Sequence, residues 1–307
     1  MSANCLKKKF TYHAFGLTIS SEIEIPEFLQ ASGKSQVHIS LGKVPDNISN
    51  IYKQGFRFQI SKNEFLLRFK TWAEFYVKDG KQIIIQPEDG VDERDVRAFL
   101  LSPVIAILLH QRGILPLHSS GIILKNKAVL FAGNSGAGKS TIAMALNRKF
   151  KYPLISDDIS AINIINDKPV VFSSFPSVKL WDDSLEMLNI PIEEMPYIRK
   201  DVLKRRYDNN ANYYSGIIEP AVIFFLGIND NNNITSREIK GIEKFNYLRQ
   251  FIFRGAMVDE LYAQEHFRIM TLLLSNVSCF EIHRPKSEAS PDTLLNIVDS
   301  ILRKIVK

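Results

Sequence analysis

Gly133-Asn134-Ser135-Gly136-Ala137-Gly138-Lys139-Ser140, followed at once by Thr141, is the stretch whose reading decides the fold. It fits the pattern G-x-x-x-x-G-K-[ST] without a mismatch. Ala128 to Ala132 before it reads as a short buried strand. Thr141 to Arg148 after it reads as a helix, being rich in helix formers and free of Gly and Pro. Strand, glycine loop and helix start are the geometry that a nucleotide phosphate needs. Glycines let the backbone wrap close to the anion, with successive N–H groups aimed inward and the positive helix end facing it. In such a loop Lys139 reaches the β- and γ-phosphates, and the Ser140 hydroxyl ligates Mg²⁺. A chance match in a chain of 307 residues is on the order of one in a hundred, so nucleoside triphosphate binding is the expectation. Gly133 to Thr141 are its candidate residues.

Working outward, the chain from Ile114 onward alternates strand and helix around the loop. Strand-like pieces run over 120–124, 128–132, 162–165, 170–172 and 221–226. Helices are expected over 185–188, 247–253 and from Pro291 to the end. Residues 92 to 112 read as a helix opened by Asp92-Glu93 and stopped by Gly113, with a kink or break at Pro103. The first 91 residues are β-rich, with apolar, partly alternating runs at 37–41, 56–60, 65–69 and 82–86 divided by turns such as Asp79-Gly80. The chain therefore divides near residue 91, into a β-rich accessory domain (1–91) and an α/β catalytic domain (92–307).

Composition excludes several classes. A hydrophobic fraction of 45% and a charged fraction of 23% are ordinary for a soluble globular protein. The net charge of +6 favours phosphate-bearing or acidic partners and is too small to argue for nucleic acid. Cys5 and Cys279 form neither a metal-ligand spacing nor a disulfide framework, which suits a reducing cytoplasm. No signal peptide is expected, and the longest apolar run, Phe99 to Leu109, is too short to cross a bilayer.

Three further features carry chemistry. Asp157-Asp158 lie 17 and 18 residues beyond Ser140, at the end of the apolar run Pro153 to Ser156. A carboxylate at a strand end beside a phosphate loop holds metal or activates a nucleophile. In an extended backbone the two side chains point to opposite faces, so only one aims at the γ-phosphate. His118 precedes the loop by 15 residues, and on a neighbouring strand its imidazole reaches an acceptor hydroxyl, the base or a phosphate. The row Arg199 to Arg206 holds five basic residues, read as cations for the transferring phosphate, as a receiver for an acidic peptide, or as a solvated helix face.

Taken together these residues resemble a family. His118 before a strand, the glycine loop with Lys139-Ser140-Thr141, and Leu154-Ile155-Ser156-Asp157-Asp158 are similar to the catalytic domain of the HPr kinase/phosphorylases, whose phosphate loop sits in a phosphoenolpyruvate carboxykinase-like sheet. Residues 108–120, 175–184 and 14–22 bring the resemblance closer to the lasso-peptide precursor serine kinases. The resemblance implies ATP and Mg²⁺ as cofactors, Asp158 as proton acceptor for a serine hydroxyl, His118 as active-site histidine, and Asp157 as metal or positioning carboxylate. Lys204 and Arg205 are the candidate cations near the phosphate. It further implies a precursor peptide as partner and allows a homo-oligomer. The Glu-Ile-Arg-Gly-Leu-Gly-type signature of the bifunctional enzymes is missing, which argues against phosphorolysis and against HPr as substrate. The expected activity is an ATP-dependent peptide serine kinase. A small-molecule kinase and a nucleotide-responsive regulatory binding protein are the alternatives.

Overall fold

The computed structural model describes residues 9–193, 195–230, 233–286 and 291–305. Cys5 lies outside them. The molecule is a mixed α/β structure with several sheets.

The sheet around which the rest is arranged has six strands, in the order Leu154–Ser156, Ser119–Leu124, Lys127–Gly133, Pro220–Asn229, Ser278–Pro285 and Thr235–Ile239. The middle three of its last five strands are mutually parallel, from Lys127–Gly133 to Ser278–Pro285. Side chains alternate across a strand, and this strand uses both faces. Val129 and Phe131 pack with the helix Lys139–Phe150 and the final helix Pro291–Ile305. Leu130 and Ala132 pack with the helices Ile242–Gln250 and Ala263–Asn276. With apolar layers on both sides, the strand reads as the near-continuous hydrophobic run expected of a central strand.

A second sheet of nine strands occupies Phe10 to Pro87. Its core is continuous with the helical run that follows and with Phe172 and Phe175 from the other half. Phe15 N–H donates to the Ser173 carbonyl at 2.8 Å, and the Phe15 and Phe175 rings meet edge to face at 5.8 Å. Buried Glu27 receives Arg97 at 3.2 Å and Arg206 at 2.9 Å. The sheet is thus packed against Phe172 to Phe175, the segment that leads into the strand Ser177–Trp181 of the candidate site.

One expectation is narrowed by the structure and one is corrected. Of the kink or break expected at Pro103, no break is present. Glu93–Phe99 passes through a π-turn at Leu100–Val104 into Ile105–Gln111, and the widened turn accommodates the missing proline N–H. The basic row near residue 200 is no helix face. It forms strands Tyr197–Arg199 and Val202–Asp208, a hairpin paired with Ser177–Trp181. Alternation of large side chains in the strand lets Arg205 stack over Tyr197 at 4.0 Å on one side, while Lys204 covers Trp181 at 4.9 Å on the other. Gly113, with φ +67, ends the long helical run as read.

Candidate active site

The glycine loop joins the strand Lys127–Gly133 to the helix Lys139–Phe150. Gly133, Gly136 and Gly138 all have positive φ. Gly133 has a second constraint, since a Cβ there would stand 2.5 Å from the Leu226 carbonyl oxygen of the neighbouring strand. The Lys139 ammonium folds back onto the carbonyls of Gly133 and Asn134, at 2.9 and 3.0 Å. Burial pushes Lys139 down to about 8, against the opposing pull of Asp157 and Asp158.

Asp157 is 96% removed from solvent and fully hydrogen-bonded. One carboxylate oxygen accepts from Ser140 Oγ at 2.7 Å and from Ser120 Oγ at 2.6 Å; the other accepts from the Lys179 backbone N–H at 2.9 Å. Asp158 follows in the left-handed region at φ +65. That turn changes the expected geometry. The strand ends at Ser156, the backbone is not extended through the pair, and both carboxylates face the same cavity rather than opposite faces.

The Asp158 carboxylate accepts from Lys179 Nζ at 2.8 Å and from Ser102 Oγ at 3.1 Å. His118 Nδ1 lies 3.0 Å from the Asp158 carbonyl oxygen and 3.4 Å from its carboxylate. A carbonyl oxygen only accepts, so Nδ1 carries the proton and Nε2 of the neutral ring remains an acceptor. Burial lowers the His118 pKa, which keeps the ring neutral at pH 7. Burial alone would raise the Asp158 carboxyl, yet Lys179 and then His118 outweigh it and hold the group well below the ordinary carboxylate range.

These groups line one cavity of about 990 Å³, large enough for a nucleotide and part of an acceptor. Ser135, Gly136, Gly138, Lys139, Ser140, Thr141, Asp157, Asp158, His118 and Lys204 border it. Gly133, Asn134 and Ala137 do not; they shape the loop from beneath. Arg205 is also elsewhere, its guanidinium held by Asp182 at 2.8 Å and by the Tyr197 hydroxyl at 2.7 Å.

Lys179, Ser120, Ser102 and Arg284 were missed by sequence reasoning. Lys179 had a usable signal, a lone cation between the apolar residues Val178 and Leu180 of a strand. Arg284, whose guanidinium donates to the Gly136 carbonyl at 3.1 Å, is brought in from the far end of the chain and had none.

Among the described residues no group of three or more His, Cys, Asp or Glu is placed to hold a metal ion. Ser140 and Asp157 offer a hydroxyl and a carboxylate side by side. Such a pair fits a magnesium that keeps waters and takes its remaining ligands from phosphates.

No protein-family model matches the chain, and no curated protein matches it by sequence. Among solved structures, the Hpr(Ser) kinase/phosphatase from Coxiella burnetii is similar at 12% identity with a TM-score of 0.32, over 62% of this chain and 94% of that one. Among the described residues no helix is long and apolar enough to cross a membrane.

Proposed function

We propose that the chain is an ATP- and Mg²⁺-dependent kinase that phosphorylates a serine hydroxyl on a ribosomal, lasso-type precursor peptide. The observation that carries the reaction class is the convergence of the glycine loop, Asp157, Asp158, Lys179 and His118 on one cavity. The choice of a peptide acceptor rests on the resemblance of residues 14–22, 108–120 and 175–184.

In this reading the loop amides and Lys139 hold the triphosphate, Lys139 leaving the two carbonyls it now occupies. Ser140 and Asp157 would hold magnesium, which when bound neutralises charge on the phosphate oxygens. Asp158 orients the acceptor hydroxyl and takes its proton. Its depressed basicity suits a loose transition state, in which the hydroxyl proton departs late and positioning dominates. His118 holds the Asp158 backbone and keeps Nε2 free toward the cavity. Lys179 and Lys204 balance the charge that accumulates beside the two carboxylates. To this proposal belong the division near residue 91, cytoplasmic location and assembly as a homo-oligomer, with neither nucleic acid nor membrane as partner.

The test is intact-mass spectrometry of candidate precursor peptides incubated with the protein, ATP and Mg²⁺. The expected result is a gain of one or more phosphates mapped to serine and lost with Asp158→Asn, which still binds ATP. Transfer by Asp158→Asn at near wild-type rate would remove the base assignment. A metabolite that stimulates ATP turnover while every peptide stays unmodified would move the reading to a small-molecule kinase.

A further inference from the structure

Lys204, Lys179 and Arg206 share one face of the hairpin sheet. Ser177–Trp181 runs antiparallel to Val202–Asp208, with Lys179 opposite Arg206 and Trp181 opposite Lys204. Residues directly opposite lie on one face, and so do alternate residues along each strand. At one end of that face Lys204 covers Trp181 at 4.9 Å and borders the large cavity. In the middle Lys179 Nζ holds the Asp158 carboxylate at 2.8 Å, while the Lys179 backbone N–H donates to Asp157 at 2.9 Å. At the far end Arg206 donates to Glu27, in the turn between the strands Leu17–Ser21 and Leu29–Gln30. Glu27, Arg206, Ser177 and Lys179 together border a second, small cavity of about 30 Å³.

Glu27 is the anion that fixes the Arg206 end. Its side chain is 8% exposed, and its carboxylate takes Arg206 Nη1 at 2.9 Å and Arg97 Nε at 3.2 Å. Without it, two guanidinium groups would be left side by side with little water to screen them. Packing sets the place of Glu27 itself. The ring of the next residue, Phe28, meets that of Phe175 at 5.4 Å, two residues before Ser177. The turn of the hairpin is held from the same side. Arg199 lies over Trp72 at 5.0 Å and over Phe99 at 4.9 Å, and the Lys200 N–H donates to buried Asp95 at 3.1 Å. The glycine loop, by contrast, rises from the six-stranded sheet, to which the hairpin does not belong.

We propose that Glu27 is a positioning residue. Through Arg206 it sets the strand that presents Lys179 to Asp158, which makes the N-terminal sheet part of the frame of the reacting end. Its effect on turnover rests on the kinase reading above; its effect on the strand does not, so the two are measured separately. Native-state hydrogen exchange of the whole chain is followed in residues 177–181, where the Lys179 N–H is the reporter, and in 142–146 of the helix after the glycine loop. Glu27→Ala speeds exchange in 177–181 by about tenfold or more and leaves 142–146 within about twofold. Glu27→Gln keeps the shape and an acceptor for Arg206. It gives a smaller rise, about threefold, and carries the test if Glu27→Ala does not fold. With a precursor peptide as acceptor, kcat falls in the same order, by about tenfold for Glu27→Ala, while KM for ATP stays within about twofold. Equal acceleration of exchange in both segments means general loosening and overturns the positioning role. Unchanged exchange in 177–181 overturns it, as does an unchanged kcat while 177–181 loosens. A wild-type protein that phosphorylates no acceptor refutes the kinase reading, and the exchange comparison still decides whether Glu27 governs the strand that bears Lys179.

Discussion

Replacing Lys179 by Met removes a charge while keeping most of the side-chain volume. In the native protein the Lys179 ammonium is 16% exposed and the Asp158 carboxylate 18%, with 2.8 Å between them. At an effective dielectric near 20 that separation corresponds to about 6 kcal/mol of attraction before desolvation is counted. Most of this is offset by the cost of removing both ions from water. The loss of one partner is different, because the carboxylate stays buried, with Ser102 and His118 in contact and Lys204 acting on it from further off. The expected destabilisation is about 2–4 kcal/mol at pH 7.

The sign with pH is distinctive. In the wild type the Asp158 pKa is depressed, so its contribution is present at neutral pH and disappears only in strong acid, below the ordinary carboxylate range. Without Lys179, burial dominates and raises the group. The folded state then prefers the proton, so the penalty is greatest at neutral pH and eases as pH falls toward 5. Urea denaturation at pH 7 and pH 5 reads both effects. The double variant Lys179→Met/Asp158→Asn recovers at least half the loss, because no unpaired charge remains. A single variant within about 1 kcal/mol of wild type at both pH values, or one as destabilised at pH 5 as at pH 7, would refute the account of this pair.

Other outcomes follow from neighbouring features. Gly133→Ala forces a methyl group against a backbone carbonyl that cannot move aside, at a cost on the order of 3 kcal/mol, read as a lowered thermal midpoint together with loss of nucleotide binding. Because Lys139 in the free protein is pushed down to about 8, ATP affinity declines as pH rises above that value, and calorimetry of Lys139→Met shows weaker binding without this pH dependence. His110 and His266 share a buried hydrogen bond of 2.9 Å and are pushed down by burial to about 3 and about 4. The unfolded chain protonates these rings first, so stability falls by about 2–4 kcal/mol between pH 7 and pH 5. Denaturation of a His110→Gln/His266→Gln double variant, which lacks that slope, checks the assignment.

The glycine loop was legible because its pattern is local: the residues that shape it are contiguous, and the flanking strand and helix carry their own signals. His118 and the aspartate pair were legible as candidates for the same reason. Their arrangement was not. The left-handed turn at Asp158 depends on long-range packing, and an extended backbone was the natural local expectation. The basic row at Arg199 to Arg206 shows the opposite failure. Its composition suits a helix surface, and only pairing with Ser177–Trp181 makes it a hairpin. Lys179 acquires its partner through that same strand, 21 residues from Asp158.

The backbone at Asp158 also restricts what any descendant of this chain can carry there. With φ at +65, the position accommodates Asp, Asn and Gly and resists longer or β-branched side chains. The usual conservative exchange of Asp for Glu therefore disturbs the main chain as well as the reach of the acid, whereas Asp for Asn changes the chemistry alone. A lineage that lost the proposed base but kept its fold would carry Asn or Gly at this position. Sequencing such a lineage and finding Glu, Val or Ile instead would mean that the turn itself had been rebuilt.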